Sequence, residues 1–342
     1  MKDSVKDSVN KSLTVIDELL PIWFALAAGS GLMIGKFTSV FSALIDLTLP
    51  VLLFLIMIVA MTRLHYYRVQ HQDHKFTRDY FLVVLFNFIL HPIMLFFFTK
   101  VFFFENKDLA TGFLLTQIFP SITVVMLWVD LARGDRIKSS MYLLINAAGQ
   151  FVLLPFWIYF FTGNSILFNW KIFSALLSFY IFIPFLIGFL INHFIVKHWG
   201  FQWLAENIIP KMNHWQMQLL ITCVFVLYTS RGGLLMELPD LIWKFFLPFF
   251  LYYHLILFLI WAVCVFNKVD YSQAIALIYS TWSRSLTFPM MAAISLFWDR
   301  PAIIAMVALA PLIEFPLMLT YSYLFRAIKK YAFFKAFRFH EN

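Results

Sequence analysis

Charge is scarce in this chain. Asp, Glu, Lys and Arg make up 13% of its 342 residues, against about a quarter in soluble domains, which excludes both an ordinary soluble globule and a charge-rich disordered chain. Cysteine is scarcer still: Cys223 and Cys264 are the only two, without a CxxC spacing, so neither a disulfide framework nor a redox motif is present. HExxH and GxSxG are absent, which removes the metalloprotease and nucleophile-elbow signatures. The nearest approach to a phosphate loop, Gly29-Ser30-Gly31 through Gly35-Lys36, has the wrong spacing and runs into Phe37. Gly31 and Gly35 read instead as small-residue helix packing. The chain reads as a non-enzyme with no cofactor.

What is present is apolar: 62% of residues are hydrophobic and 20% aromatic. A membrane-spanning helix needs about 20 mostly apolar residues, and ten runs approach that length. They are Leu19–Gly35, Asp46–Met61, Tyr80–Thr99, Leu109–Trp128, Ser139–Phe161, Ile172–Val196, Met212–Ser230, Leu241–Phe266, Tyr271–Trp298 and Pro301–Phe325. The expected fold class is therefore an all-α polytopic membrane protein with ten transmembrane helices. Ten spans place both termini on one side, and counting Lys and Arg with that side inside puts 18 on inner segments and 7 on outer loops, with Arg284 inside the ninth run. Cytoplasmic segments hold the basic excess, so both termini are expected in the cytoplasm and the protein in the cell (inner) membrane.

The ends agree with that placement. In residues 1–18, Val5, Val9, Leu13 and Ile16 recur at helical spacing among Lys2, Lys6 and Lys11, the pattern of an amphipathic helix on a membrane surface. In the basic tail, 326–342, Arg326, Lys329, Lys330, Lys335 and Arg338 alternate with phenylalanines, which reads as lipid anchoring rather than nucleic-acid binding. His65, His71 and His74 crowd the loop after the second run with Asp73, but lack the paired spacing and second ligand cluster of a zinc site. Asp130 and Asp135 sit beside Arg133 and Arg136 and read as a turn with local ion pairs.

Ten helices divide into five (19–170) and five (171–325), and an odd number per half forces the second half to enter from the opposite face: two inverted five-helix repeats. Transporters built this way hold the solute near the midplane, where broken helices expose half-helix ends. The fourth run is interrupted by Phe119-Pro120-Ser121-Ile122-Thr123 and the ninth by Trp282-Ser283-Arg284-Ser285-Leu286-Thr287-Phe288-Pro289. Such stretches are costly in lipid unless they line a protein cavity, so runs four and nine are expected to be broken.

Helix four also carries Met126-Leu127-Trp128-Val129-Asp130-Leu131-Ala132-Arg133-Gly134-Asp135, helix ten carries Pro311-Leu312-Ile313-Glu314-Phe315-Pro316-Leu317-Met318-Leu319, and helix three carries Asn87 with His91-Pro92. In these strings the chain resembles the arsenite-efflux branch of the bile acid:sodium symporter superfamily. The resemblance implies a panel domain of helices one, two, six and seven and a core domain of the others, in which helices four and nine cross. It also implies two departures. The arsenite branch has a cysteine where this chain has Ser121, and the family's Asn-Asn-Phe-Glu falls on Arg284-Ser285-Leu286-Thr287, replacing oxygen ligands suited to sodium.

Among single residues, Arg284 is the sharpest signal, since a central arginine costs roughly 2.5–3.5 kcal/mol on insertion scales. Glu314 is its expected partner. Arg284 then either attracts an anionic solute or permanently supplies the charge that a bound cation supplies in relatives. Glu314, flanked by Pro311 and Pro316, is the expected charge-handling group together with Thr287 and Gln150; Ser121, Thr123, Asn87, Asn146, Arg284 and Ser285 are the expected solute contacts. His91 and His254 read as interhelical bonds. The sequence thus points to a secondary active transporter of a small anionic or polyhydroxy solute, with the lipid bilayer as its other partner and proton or sodium coupling left open. Two alternatives remain: an arsenite efflux antiporter, and a non-transporting sensor or scaffold on a transporter fold.

Overall fold

A computed structural model of the chain describes residues 20–37, 42–70, 78–162, 169–237 and 239–330. The amino-terminal amphipathic segment, His71, Asp73, His74 and the tail beyond Lys330 lie outside the described residues. Among those described, regular structure is entirely helical. The principal helices are α1 (Leu20–Phe37), α2 (Ser42–Thr62), α3 (Arg78–Phe102), α4 (Lys107–Ile118), α5 (Val125–Leu131), α6 (Arg136–Val152) and α7 (Leu154–Thr162). They continue with α8 (Trp170–Leu177), α9 (Ile183–Trp203), α10 (Ile209–Glu237), α11 (Pro239–Phe266), α12 (Tyr271–Trp282), α13 (Thr287–Leu296) and α14 (Pro301–Lys330).

Four described helical stretches are long and apolar enough to cross a membrane unaided, and α6 with α7, bent by 49°, makes a fifth. The fourth and ninth runs fail that length test because each is split into halves of 12 residues or fewer, while a continuous span needs about 20. Many outward side chains are bare hydrocarbon, such as Phe97, Val101, Phe156 and Phe258. Exposed apolar surface on that scale suits lipid and not water. The protein is an integral membrane protein.

The chain forms two compact units. The first holds α1 and α2 with α9 and α10, the latter two over Pro184–Met236. Its helices meet through small residues: a Cβ placed on Gly31 would lie 2.7 Å from the Phe225 carbonyl, and one on Gly35 2.7 Å from that of Thr229. The glycine pair read as helix packing does that here against α10. Asn192 donates to the last-turn carbonyl of Thr62 at 2.8 Å, satisfying a helix end that has no internal partner. Near the end of α9, Gly200 adopts φ 84° and ψ 161° and kinks the helix, a conformation that favours glycine.

The second unit holds the described residues of 64–183 and 237–330. Side chains fix several of its helix starts: Asn106 accepts from Asp108 and Leu109 N–H, Asp135 from Ile137 and Lys138 N–H, and Asn169 from Ile172 N–H. Asp135 is therefore a cap, whereas Asp130 forms the local ion pair, with Arg136. Gly112 brings α4 onto α14, where an added Cβ would meet Met306 Cβ at 2.5 Å. α3 contains one wide turn, Phe86–Leu90, of a type that often marks functional positions; it carries Asn87 and leads into His91.

Candidate solute site at the crossing of two broken helices

The second unit contains both interrupted runs. α4 ends at Ile118, and the chain is extended at Phe119 (φ −90°, ψ 109°) before helix resumes at Val125. α12 ends at Trp282, Ser283 is extended (φ −71°, ψ 138°), and α13 begins at Thr287. The two extended pieces meet antiparallel, with Pro120 opposite Arg284. Ser121 N–H donates to the Ser283 carbonyl at 3.0 Å, and Ser285 N–H donates to the Phe119 carbonyl at 2.9 Å. Each break thus supplies partners the other lost by leaving the helix. That exchange is what makes non-helical backbone tolerable inside a membrane protein.

Neighbouring helices brace what remains. Gln150 on α6 donates to the Pro120 carbonyl at 3.0 Å. Glu314 on α14 accepts the Arg284 backbone N–H at 2.8 Å and the Ser283 hydroxyl at 3.1 Å. Asn87 and Asn146 both donate to the Ser280 carbonyl, at 3.0 and 2.8 Å, and Asn87 also donates to Asn146 Oδ1 at 2.8 Å. His91 bonds the Tyr252 hydroxyl at 2.6 Å and the Thr281 carbonyl at 2.9 Å, an interhelical tie of the expected kind. His254 instead bonds the Phe250 carbonyl of its own helix at 2.8 Å.

The expected ion pair between Arg284 and Glu314 is corrected by this geometry. Their contact runs through the Arg284 backbone, while the guanidinium turns away to the Asn87 Oδ1 at 2.7 Å and to the carbonyls of Gln117 and Trp282, both at 3.4 Å, and of Thr281. The physical reason is the break itself: in an extended segment the N–H and the side chain project in different directions, so one residue faces two neighbours. α14 runs through Pro311 and Pro316 without interruption, so Glu314 is presented by a continuous helix.

Of the remaining expected contacts, Ser121, Thr123, Ser285 and Thr287 are all buried at or beside the crossing. The Ser121 hydroxyl and the Gln150 side-chain oxygen have no hydrogen-bond partner, and neither do Gln117 Oε1 and the Ser280 hydroxyl. A buried polar atom left unpaired costs about 1–3 kcal/mol, and in native proteins such groups call for an explanation. Gln117 and Ser280 escape sequence reading because neutral side chains inside uncharged runs give no signal. Their one positional clue is that each lies two or three residues before a break. Among the described residues no group of three His, Cys, Asp or Glu side chains is placed to hold a metal.

Comparison with known proteins finds relatives along most of the chain. The chain is 21% identical over 328 residues to the arsenical-resistance protein Acr3 of Corynebacterium glutamicum, covering 90% of this chain and 87% of that one. It is 20% identical over 337 residues to an uncharacterized transporter of Synechocystis sp., covering 90% and 88% respectively. The family model for the sodium bile acid symporter family matches residues 50–238, more than half of the chain and a stretch that includes the first of the two breaks. A divergent member by these identities, the chain belongs to the sodium bile acid symporter family.

Proposed function

We propose that this protein is a secondary transporter that carries a small anionic or polyhydroxy solute past the crossing by alternating access. The observation that carries the reading is the pair of broken helices that meet in a buried site holding four unpaired polar atoms. A solute with several hydroxyl or acid oxygens supplies the partners those atoms lack. Ser121, Thr123, Asn87, Asn146, Arg284 and Ser285 are the proposed solute contacts, with Glu314, Thr287 and Gln150 handling charge or holding the backbone open. The start of α13 has no side-chain cap, so its N–H groups and positive dipole end favour an oxygen-rich solute.

The division of the second unit from α1, α2, α9 and α10 supports assigning those helices to a panel and the rest to a core. In the proposed topology two inverted five-helix repeats span the inner membrane with both termini cytoplasmic, and the core moves against the panel. Arsenite efflux is the second reading, favoured by the name of the Corynebacterium relative. Ser121 weighs against it, since trivalent arsenic prefers thiolate to hydroxyl oxygen.

The test is flux into liposomes reconstituted with the purified chain, across a panel of carboxylates, oxyanions, polyols and arsenite, with sodium and pH gradients imposed separately. Saturable flux of an anion or polyol, and none of arsenite, is expected. Flux of arsenite alone moves the assignment to the second reading. No flux of any solute, with a soluble protein bound at the tail, leaves a sensor or scaffold.

A further inference from the structure

We propose that the Arg284 guanidinium is a tethered cation, filling from within the chain an oxygen cage that would otherwise hold a free monovalent cation. The inference deepens the transport reading above, because it concerns the charge that the same crossing carries through its cycle.

The cage has four oxygens. Three are backbone carbonyls: Thr281 and Trp282 from the last turn of α12, and Gln117 from the last turn of α4. The fourth is Asn87 Oδ1, on the wide turn of α3. Carbonyls in a final helical turn lack internal N–H partners and sit at the negative end of the helix dipole. Two such ends converge here because two helices break at the same place. Carbonyl and amide oxygens without a thiolate or imidazole form a ligand set for a hard cation, and C-terminal half-helix ends serve that purpose in transporters with discontinuous helices.

Among the described residues no carboxylate bonds the guanidinium directly. Glu314 is engaged with the Arg284 backbone N–H and the Ser283 hydroxyl. His91 shares the Thr281 carbonyl and takes its second bond from Tyr252. Arg284 is 1% exposed, and its donors point at protein oxygens, so in this state the guanidinium is enclosed by the cage. An arginine also stays protonated throughout. The charge is permanent, and neither a sodium nor a proton gradient is required to supply it. The family's sodium does not fit the crossing as this chain builds it.

The test is thermal unfolding of the full chain in lipid nanodiscs, with no solute, in sodium chloride and in choline chloride of equal ionic strength. The wild type is expected to unfold at the same temperature in both. Arg284→Ala, with its cage vacated, is expected to unfold several degrees lower in choline chloride and to recover most of that loss in sodium chloride or in dilute guanidinium chloride, since a ligand bound only by the folded state stabilises it. Arg284→Lys, which keeps a charge in the cage, is expected to remain indifferent to sodium. Should Arg284→Ala be recoverable only in sodium or guanidinium chloride, that too supports the cage. A wild type stabilised by sodium overturns the proposal, as does an Arg284→Ala protein indifferent to both cations or recoverable in none. Because the assay needs no solute, its failure is separable from failure of the flux screen.

Discussion

The two breaks look alike along the backbone and differ in what they carry. Each leaves its helix through an extended residue, each gives one N–H to a carbonyl of the other, and each is braced by the long helix that follows its second half. α6 donates through Gln150 to the Pro120 carbonyl of the first break, and α14 accepts through Glu314 from the Arg284 N–H of the second. The first break contains only hydroxyls and apolar side chains, whereas the second contains an arginine. The shared backbone scheme is the part that membrane burial imposes, because unpaired backbone groups in hydrocarbon cost several kcal/mol each. The difference in side chains is not imposed by burial and is free to vary.

Removing the charge that distinguishes the second break is expected to have the largest effect. In choline medium, Arg284→Ala should lower flux of the transported solute on the order of 100-fold, about 2.7 kcal/mol in the barrier, while still inserting and migrating as a monodisperse species in size-exclusion chromatography. Normal flux would reduce Arg284 to a structural tie between α3, α4 and α12.

The braces should rank next, and unequally. Glu314→Leu leaves a buried N–H and a buried hydroxyl without their acceptor, about 1–3 kcal/mol for each, whereas Gln150→Leu leaves one carbonyl, and under-satisfied carbonyls are better tolerated than orphaned N–H groups. The melting temperature of Glu314→Leu should therefore fall further than that of Gln150→Leu, and Glu314→Gln, which keeps an acceptor oxygen, should fall least. The opposite order between the two leucine variants would mean that the first break bears more of the strain.

Much of this was legible before any coordinates, for a simple reason. Proline beside polar residues in an uncharged run has no inexpensive place in lipid, so Pro120 with Ser121 and Arg284 with Pro289 marked both breaks. Asn87, Asn146 and Gln150 stood out as amides inside apolar runs, and each bonds the crossing or the backbone leading into it. What stayed hidden depended on direction in space. Charge complementarity alone pairs Arg284 with Glu314, yet an extended residue presents its N–H and its side chain to different neighbours, and only coordinates show which faces which. Gln117 contributes a carbonyl to the guanidinium, an interaction that no side-chain pattern encodes.

The smallest expected effect concerns the first break, and it sharpens the comparison by changing chemistry without changing shape. Ser121 is fully buried and its hydroxyl is unpaired, so replacing oxygen by the slightly larger sulfur removes no hydrogen bond. Ser121→Cys should cost about 1 kcal/mol or less in stability, in the range of modest core swaps. The thiol nonetheless adds the one soft ligand the crossing lacks, and trivalent arsenic selects thiolate over hydroxyl oxygen. Liposomes carrying Ser121→Cys should therefore show inhibition of solute flux by arsenite, or arsenite flux itself, at concentrations that leave the wild type unaffected. Equal arsenite responses in the two proteins would show that the first break does not touch the solute, and would leave selectivity to the second break alone.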